Sequence, residues 1–220
     1  GTRVILASAL YVKSKWVKPF EKMEKSLPFN SMSGKISARG MTVVNNYRVA
    51  DDDRYRAVSI PAYGQVSLEV YLPRDKETPI DVVRRLEETQ VSFLDETRGV
   101  KVVMPYWHIE SEHSLVGPLS QLGVKTPFGP LAAFPALGGG IYISEIRQKA
   151  YIDVNEKGFE AAAATVVGHS GLGAEPTFKD PQLFIVDRPF YFVVRDEKTR
   201  LALFSGFVYE PERIWRFARA

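Results

Sequence analysis

The chain of 220 residues has no cysteine. That excludes a disulfide framework and any thiolate metal site, and it leaves the redox compartment without a marker. No apolar run reaches the length of a membrane-crossing helix. The opening residues lack the charged-then-apolar pattern of a secretory leader, and no Asn-x-Ser/Thr acceptor occurs. A strong charge of one sign is also missing. The 29 basic residues are interleaved with 26 acidic ones, giving a net charge of +3. This argues against a nucleic-acid stripe, while a pI near 9.0 leaves weak anionic contacts open. What is present is ordinary globular composition, 45% apolar and 25% charged, enough for one large domain or two small ones.

The stretch Val154–Ala174, VNEKGFEAAAATVVGHSGLGA, stands apart from the rest. Its four alanines, Ala161 to Ala164, make a helix candidate. Gly158, Val166, Val167, Gly168, Gly171 and Gly173 bracket them with residues that disfavour a long helix. Small side chains also suit a strand that slips between two existing strands. The segment is therefore a candidate switch, and an alanine-rich helix ending at Gly168 remains the competing reading.

The remaining pattern is strand-dominated. Residues 3–12 form a continuous apolar run, expected to be a strand buried on both faces. Short strands are expected at 27–29 and 41–49, with a polar turn at 31–34. Asp51, Asp52 and Asp53 read as a solvated hairpin connection, since the spaced ligands and glycine of a calcium loop are absent. Residues 56–61 and 66–72 pair about Tyr63-Gly64. Pro79–Gln90 is the clearest helix, with Ile80, Val83 and Leu86 at helical spacing. A strand at 99–107, a short helix at 114–122, a Pro/Gly-rich loop at 127–140 and a long strand at 141–154 follow. Three apolar strands at 184–186, 189–195 and 201–208 close the chain.

The chemical motifs are weak. GHSGLG at 168–173 fails as a nucleophile elbow, because Leu172 stands two residues after Ser170 where glycine is required. His108 and His113, with Glu110 and Glu112, have no evident third ligand motif and read as surface histidines. Gly138–Gly140 lacks the lysine of a phosphate loop. The cluster of Lys13, Lys15, Lys18, Lys22 and Lys25 around Trp16 and Phe20 reads as a solvated face, with glycosaminoglycan binding as a weaker alternative. No metal, cofactor or catalytic constellation is expected.

Four stretches resemble the serpin family: ASALYVKSKWVKPF (7–20), AVSIPAYGQVSLEVYLP (57–73), KAYIDVNEKGFEAAAAT (149–165) and DRPFYFVVRDEKTRLALFSGFVYEP (187–211). They stand in the family's order and spacing. The resemblance covers essentially the whole chain but only the C-terminal part of a serpin domain. It implies an α+β fold with a large central sheet, smaller antiparallel sheets and few helices. Residues 1–220 would be the C-terminal part of one such domain, with the reactive loop at about 158–180. The N-terminal helices and first central strands would be missing, so that this chain alone exposes strand edges and an unpacked sheet face.

The resemblance further implies a suicide inhibitor of a serine protease, extracellular, and not an enzyme. Its partners would be a target protease and the missing N-terminal serpin segment, with no nucleic acid and no membrane. The hinge would comprise Glu156, Gly158, Phe159, Glu160, Ala161, Ala162, Ala163, Ala164 and Thr165. The family's spacing places the reactive bond at Leu172–Gly173, bait for a chymotrypsin- or elastase-like protease. Ser8, Gln148 and Trp16 would lie where the central strands part. Three positions depart from the family: Ser8 replaces Asn, Gln148 replaces His, and Phe159 replaces Thr or Ser. Phe159 is expected to overpack the sheet by roughly 1–3 kcal/mol on insertion. That leaves two readings open, an inhibitor and a non-inhibitory, substrate-like serpin.

Overall fold

The computed structural model describes residues 2–89, 93, 97–137, 140–159 and 178–213. In chain order come β1 (Thr2–Tyr11), β2 (Ser14–Lys15), β3 (Glu21–Lys22), β4 (Leu27–Ser31) and β5 (Gly34–Ala38). Then follow β6 (Gly40–Asp51), β7 (Tyr55–Ala62), β8 (Val66–Pro73), α1 (Pro79–Glu88), β9 (Arg98–Pro105) and β10 (Trp107–Ser114). The series closes with α2 (Val116–Gln121), β11 (Ile141–Asn155), β12 (Gly158–Phe159), β13 (Gln182–Ile185), β14 (Phe190–Asp196) and β15 (Ala202–Val208). Single 3-10 turns at Thr126–Phe128 and Pro135–Leu137 interrupt the Pro/Gly-rich loop. The chain divides into two compact units, one of residues 1–12 and 109–152 and one of residues 13–108 and 153–220.

In the larger unit the strand order is β13-β9-β6-β7-β8-β14-β15, with β3 also on β6. β6 serves two partners. Its residues from Gly40 to Tyr47 pair with β9, and those from Arg48 to Asp51 pair with β7. β8 lies between β7 and β14, and its residues from Ser67 to Pro73 are all buried, as expected of a strand covered on both faces. The β7–β8 turn falls where Tyr63-Gly64 predicts it, with Gly64 and Gln65 both at positive φ. Trp107 packs on Phe190 and Phe192 at 5.9 and 4.4 Å between ring centroids.

Among the described residues one charged side chain is fully buried in this unit. Glu69 is fully buried and accepts from Arg195 Nε at 2.8 and 2.9 Å, from Arg200 Nη2 at 3.1 Å and from the Tyr71 hydroxyl at 2.8 Å. Both carboxylate oxygens therefore meet donors, without which burial of a carboxylate is prohibitive. Burial, reinforced by the Glu69 charge, pushes the Tyr71 phenol well above its ordinary range.

α1 begins with a capping box, in which Thr78 and Asp81 each accept from the other's backbone N–H, and with Pro79 in its first turn. Its buried stripe differs from the predicted one. Val82 is fully buried and Leu86 packs beside it against Tyr55, Tyr71 and Val193, while Ile80 is 41% exposed. The acidic turn is also more than a solvated connection. Asp52 accepts from Arg85 Nε and Nη2 at 3.2–3.3 Å, so the turn between β6 and β7 ties α1 to the sheet.

The smaller unit is built on β11. β1 pairs with it in parallel from Thr2↔Ile141 to Tyr11↔Tyr151, with one bulge after Val4, and β10 pairs with it too. β1 corrects an expectation: it is not buried on both faces. Ile5 is 62% exposed and Tyr11 50%, and Leu6 and Leu10 are exposed as well. An apolar strand is buried on both faces only where a layer packs on each side of its sheet. Strand β10, WHIESEHS, escaped the sequence reading because its outer residues are polar throughout.

Candidate functional site

β11 ends in a tight reversal. After Asn155 the chain turns through Glu156 and Lys157 and returns as β12, antiparallel to the strand it has just left, with Val154 opposite Phe159 and Asn155 opposite Gly158. β12 is paired on its other edge too, Gly158 with Lys15 and Phe159 with Ser14 of β2. Two residues past the turn are thus seated as a strand with a neighbour on each side. Gly158 has φ +152°, a conformation that favours glycine, and a Cβ there would collide with the Ser14 carbonyl oxygen.

Trp16 fastens this reversal. Its backbone N–H donates to the Lys157 carbonyl at 3.0 Å, and its indole Nε1–H donates to the Asn155 carbonyl at 2.8 Å. Phe20 N–H donates to the Glu156 carbonyl at 2.9 Å, and Asn155 Oδ1 accepts from Lys157 N–H at 2.9 Å. The Trp16 ring meets Phe159 edge-on at 4.7 Å and Phe20 at 5.6 Å. Phe159 is fully buried and Trp16 nearly so. The overpacking expected of Phe159 is therefore not what this conformation holds. The ring occupies a formed aromatic seat, and such a pair is worth about 0.5–1.5 kcal/mol beyond its area.

Glu156 points into the same cluster, with Lys22 Nζ 3.3 Å from Oε1. Burial pulls its carboxyl upward, but hydrogen bonding to its own backbone N–H and to Lys22, with the Tyr106 hydroxyl facing it, outweighs that and holds it below the usual carboxylate range. The Tyr106 hydroxyl is buried without a well-formed hydrogen bond, so Lys22 is the firm side-chain partner. Lys22 thereby leaves the basic cluster that the sequence presents as one solvated face. Tyr106, Phe20 and Asn155 are further members that sequence reasoning missed. Only the buried-aromatic character of Phe20 was a signal.

The other expected site residues fall as follows. Ser8 and Gln148 are opposite one another in the β1–β11 register, and no strand lies between these two strands along that pairing. Trp16 belongs to the other unit. Residues Glu160, Ala161, Ala162, Ala163, Ala164, Thr165, Ser170, Leu172 and Gly173 lie outside the described residues. His108 Nδ1 lies 3.6 Å from Glu212 Oε1. Among the described residues no group of three His, Asp or Glu side chains is placed to hold a metal ion.

Comparison with known proteins gives this geometry a setting. Residues 1–211 match the family described as serpin, serine protease inhibitor. Plasminogen activator inhibitor 1 of Neovison vison is 32% identical over 225 residues, which is 96% of this chain and 55% of that protein. Serpin B3 of Homo sapiens is 30% identical over 228 residues, covering 96% of this chain and 56% of that protein. The crystal structure of Serpin48, a highly specific serpin of the insect Tenebrio molitor, superposes with a TM-score of 0.75 at 29% identity. It is matched over 95% of this chain and 56% of its own. The chain spans about half the length of the curated relatives it matches. Protease inhibitors rather than enzymes are the family's stock, and this chain belongs to the serpin family.

Proposed function

We propose that this chain supplies the strand-inserting and bait-bearing half of a suicide inhibitor of serine proteases, extracellular in its site of action. The observation that carries the reading is the hinge. Gly158 and Phe159 are already paired between β2 and the end of β11, whereas β1 and β11 pair directly along ten register positions. β12 is thus a two-residue strand already paired at the end of β11, and β1 and β11 are paired with each other. In the proposed mechanism the protease serine Oγ attacks the Leu172 carbonyl. The Leu172–Gly173 bond breaks, Gly173 leaves as a free amine carrying the proton, and Leu172 remains as an ester on the protease. The segment freed behind Leu172 then continues β12 between β1 and β11, gaining ladder hydrogen bonds and buried area. The uncut form is a kinetic trap that one cut releases.

Leucine at the cut favours an enzyme with an apolar specificity pocket, chymotrypsin- or elastase-like, and a register one residue either way offers Gly171 or Gly173 instead. The exposed β1 is the surface that the missing N-terminal serpin segment covers in this reading. The second reading, a serpin cut as a substrate without inhibition, is favoured by the bulk of Phe159, which stands where the resemblance leads one to expect Thr or Ser. The two separate in one assay. Incubation of the complete serpin with chymotrypsin is expected to give an SDS-stable covalent complex. Cleavage at Leu172–Gly173 with full release of active protease overturns the inhibitor reading.

A further inference from the structure

We propose that Trp16 and Phe159 form an aromatic latch that seats the hinge in the sheet before any cleavage. It thereby sets the residue from which insertion starts, Glu160, two residues beyond the hinge glycine. The proposal rests on the reading above for its consequence, but its physical content is independent of inhibition. Three observations carry it. Phe159 has no exposed surface and meets the Trp16 ring edge-on at 4.7 Å. The same tryptophan donates through both its backbone and its indole nitrogen to carbonyls of the turn that delivers Phe159, those of Lys157 and Asn155. Gly158 lies so close to Ser14 that no side chain fits between the two backbones, which leaves Phe159 as the first residue able to anchor the strand by packing.

Trp16 is thus a positioning residue that acts through Phe159. A threonine at 159 would keep the backbone pairing and lose the ring contact, so β12 would open more often. Two results follow for function. The length of chain between the seated hinge and the scissile bond is fixed at the start, and insertion needs no nucleation step at the hinge, since β12 is already there. The latch also replaces the expected steric penalty at Phe159 with a preformed site.

The test is amide hydrogen exchange on the uncut, complete serpin, comparing wild type with Phe159→Thr, Phe159→Tyr and Trp16→Phe. In wild type the Phe159 amide and the Trp16 amide are expected to be protected. Phe159→Thr, which removes the ring, is expected to exchange about tenfold faster at both while the β7 and β8 amides are unchanged. Phe159→Tyr, which keeps the ring, is expected to restore protection, and Trp16→Phe is expected to fall between. Unprotected amides at 158 and 159 in the wild type overturn the latch, as does equal protection in wild type and Phe159→Thr. The covalent-complex assay reads the inhibitor proposal separately, so a protected hinge in a protein that forms no complex supports the latch and defeats only the inhibitor reading.

Discussion

Glu69 and Glu156 are two carboxylates taken out of water in different ways. Glu69 is enclosed by two arginines and a tyrosine with no surface left exposed. Removing it leaves Arg195 Nε, Arg200 Nη2 and the Tyr71 hydroxyl without their shared acceptor, so Glu69→Ala is expected to lower unfolding free energy by about 3 kcal/mol, read from the urea midpoint at constant slope. An unchanged midpoint would mean that the arginines find water instead. Glu156 is more open and depends on Lys22. Its folded-state pKa lies below the ordinary 4.5, so its contribution is present above that value and is lost as pH falls through the folded one. The stability difference between wild type and Glu156→Gln is therefore expected to be constant from neutrality to about pH 5 and to shrink below 4.5. A difference that grows in acid would contradict the assignment.

Among the elements, α1 and β12 show how local rules set position. Thr78→Ala removes the side-chain cap of α1 and is expected to cost about 1 kcal/mol, measured by chemical denaturation. Gly158→Ala is expected to displace β12 from β2, because the added methyl meets the Ser14 carbonyl while the backbone holds a positive φ. The readout is loss of protection at the Phe159 amide with the β8 amides intact. The same elements mark where sequence reading succeeds. The β7–β8 hairpin was legible because Gly64 supplies the turn between two apolar runs. β5 was missed, with only Gly34 assigned, to the turn at 31–34, since GKISA has one large apolar residue. In α1 Leu86 was placed correctly and Val83 was chosen over Val82, because only docking against Tyr71 and Val193 decides which of two adjacent valines faces inward.

At the scale of the whole molecule, most strands were legible, and their order and the contacts that join distant segments were not. Long apolar runs and turn residues announce the strands, and the Glu156-Lys157-Gly158 turn is a local signal. The Lys22–Glu156 pair and the Trp16 bonds join residues more than a hundred positions apart, and no periodicity carries that information. The exposure of β1 was half legible. Its composition speaks for burial, whereas the exposure of Ile5, Leu6, Leu10 and Tyr11 depends on which layers pack on the sheet, which no local pattern carries. The central claim is that a cut in the segment after Phe159 lets it join the sheet. The measurement that tests this most directly is the unfolding temperature of the complete serpin before and after a single cut at Leu172–Gly173. Insertion predicts a clear rise in unfolding temperature, since the added ladder hydrogen bonds and buried area raise the free energy of unfolding. An unfolding temperature that stays the same or falls after cleavage would contradict it.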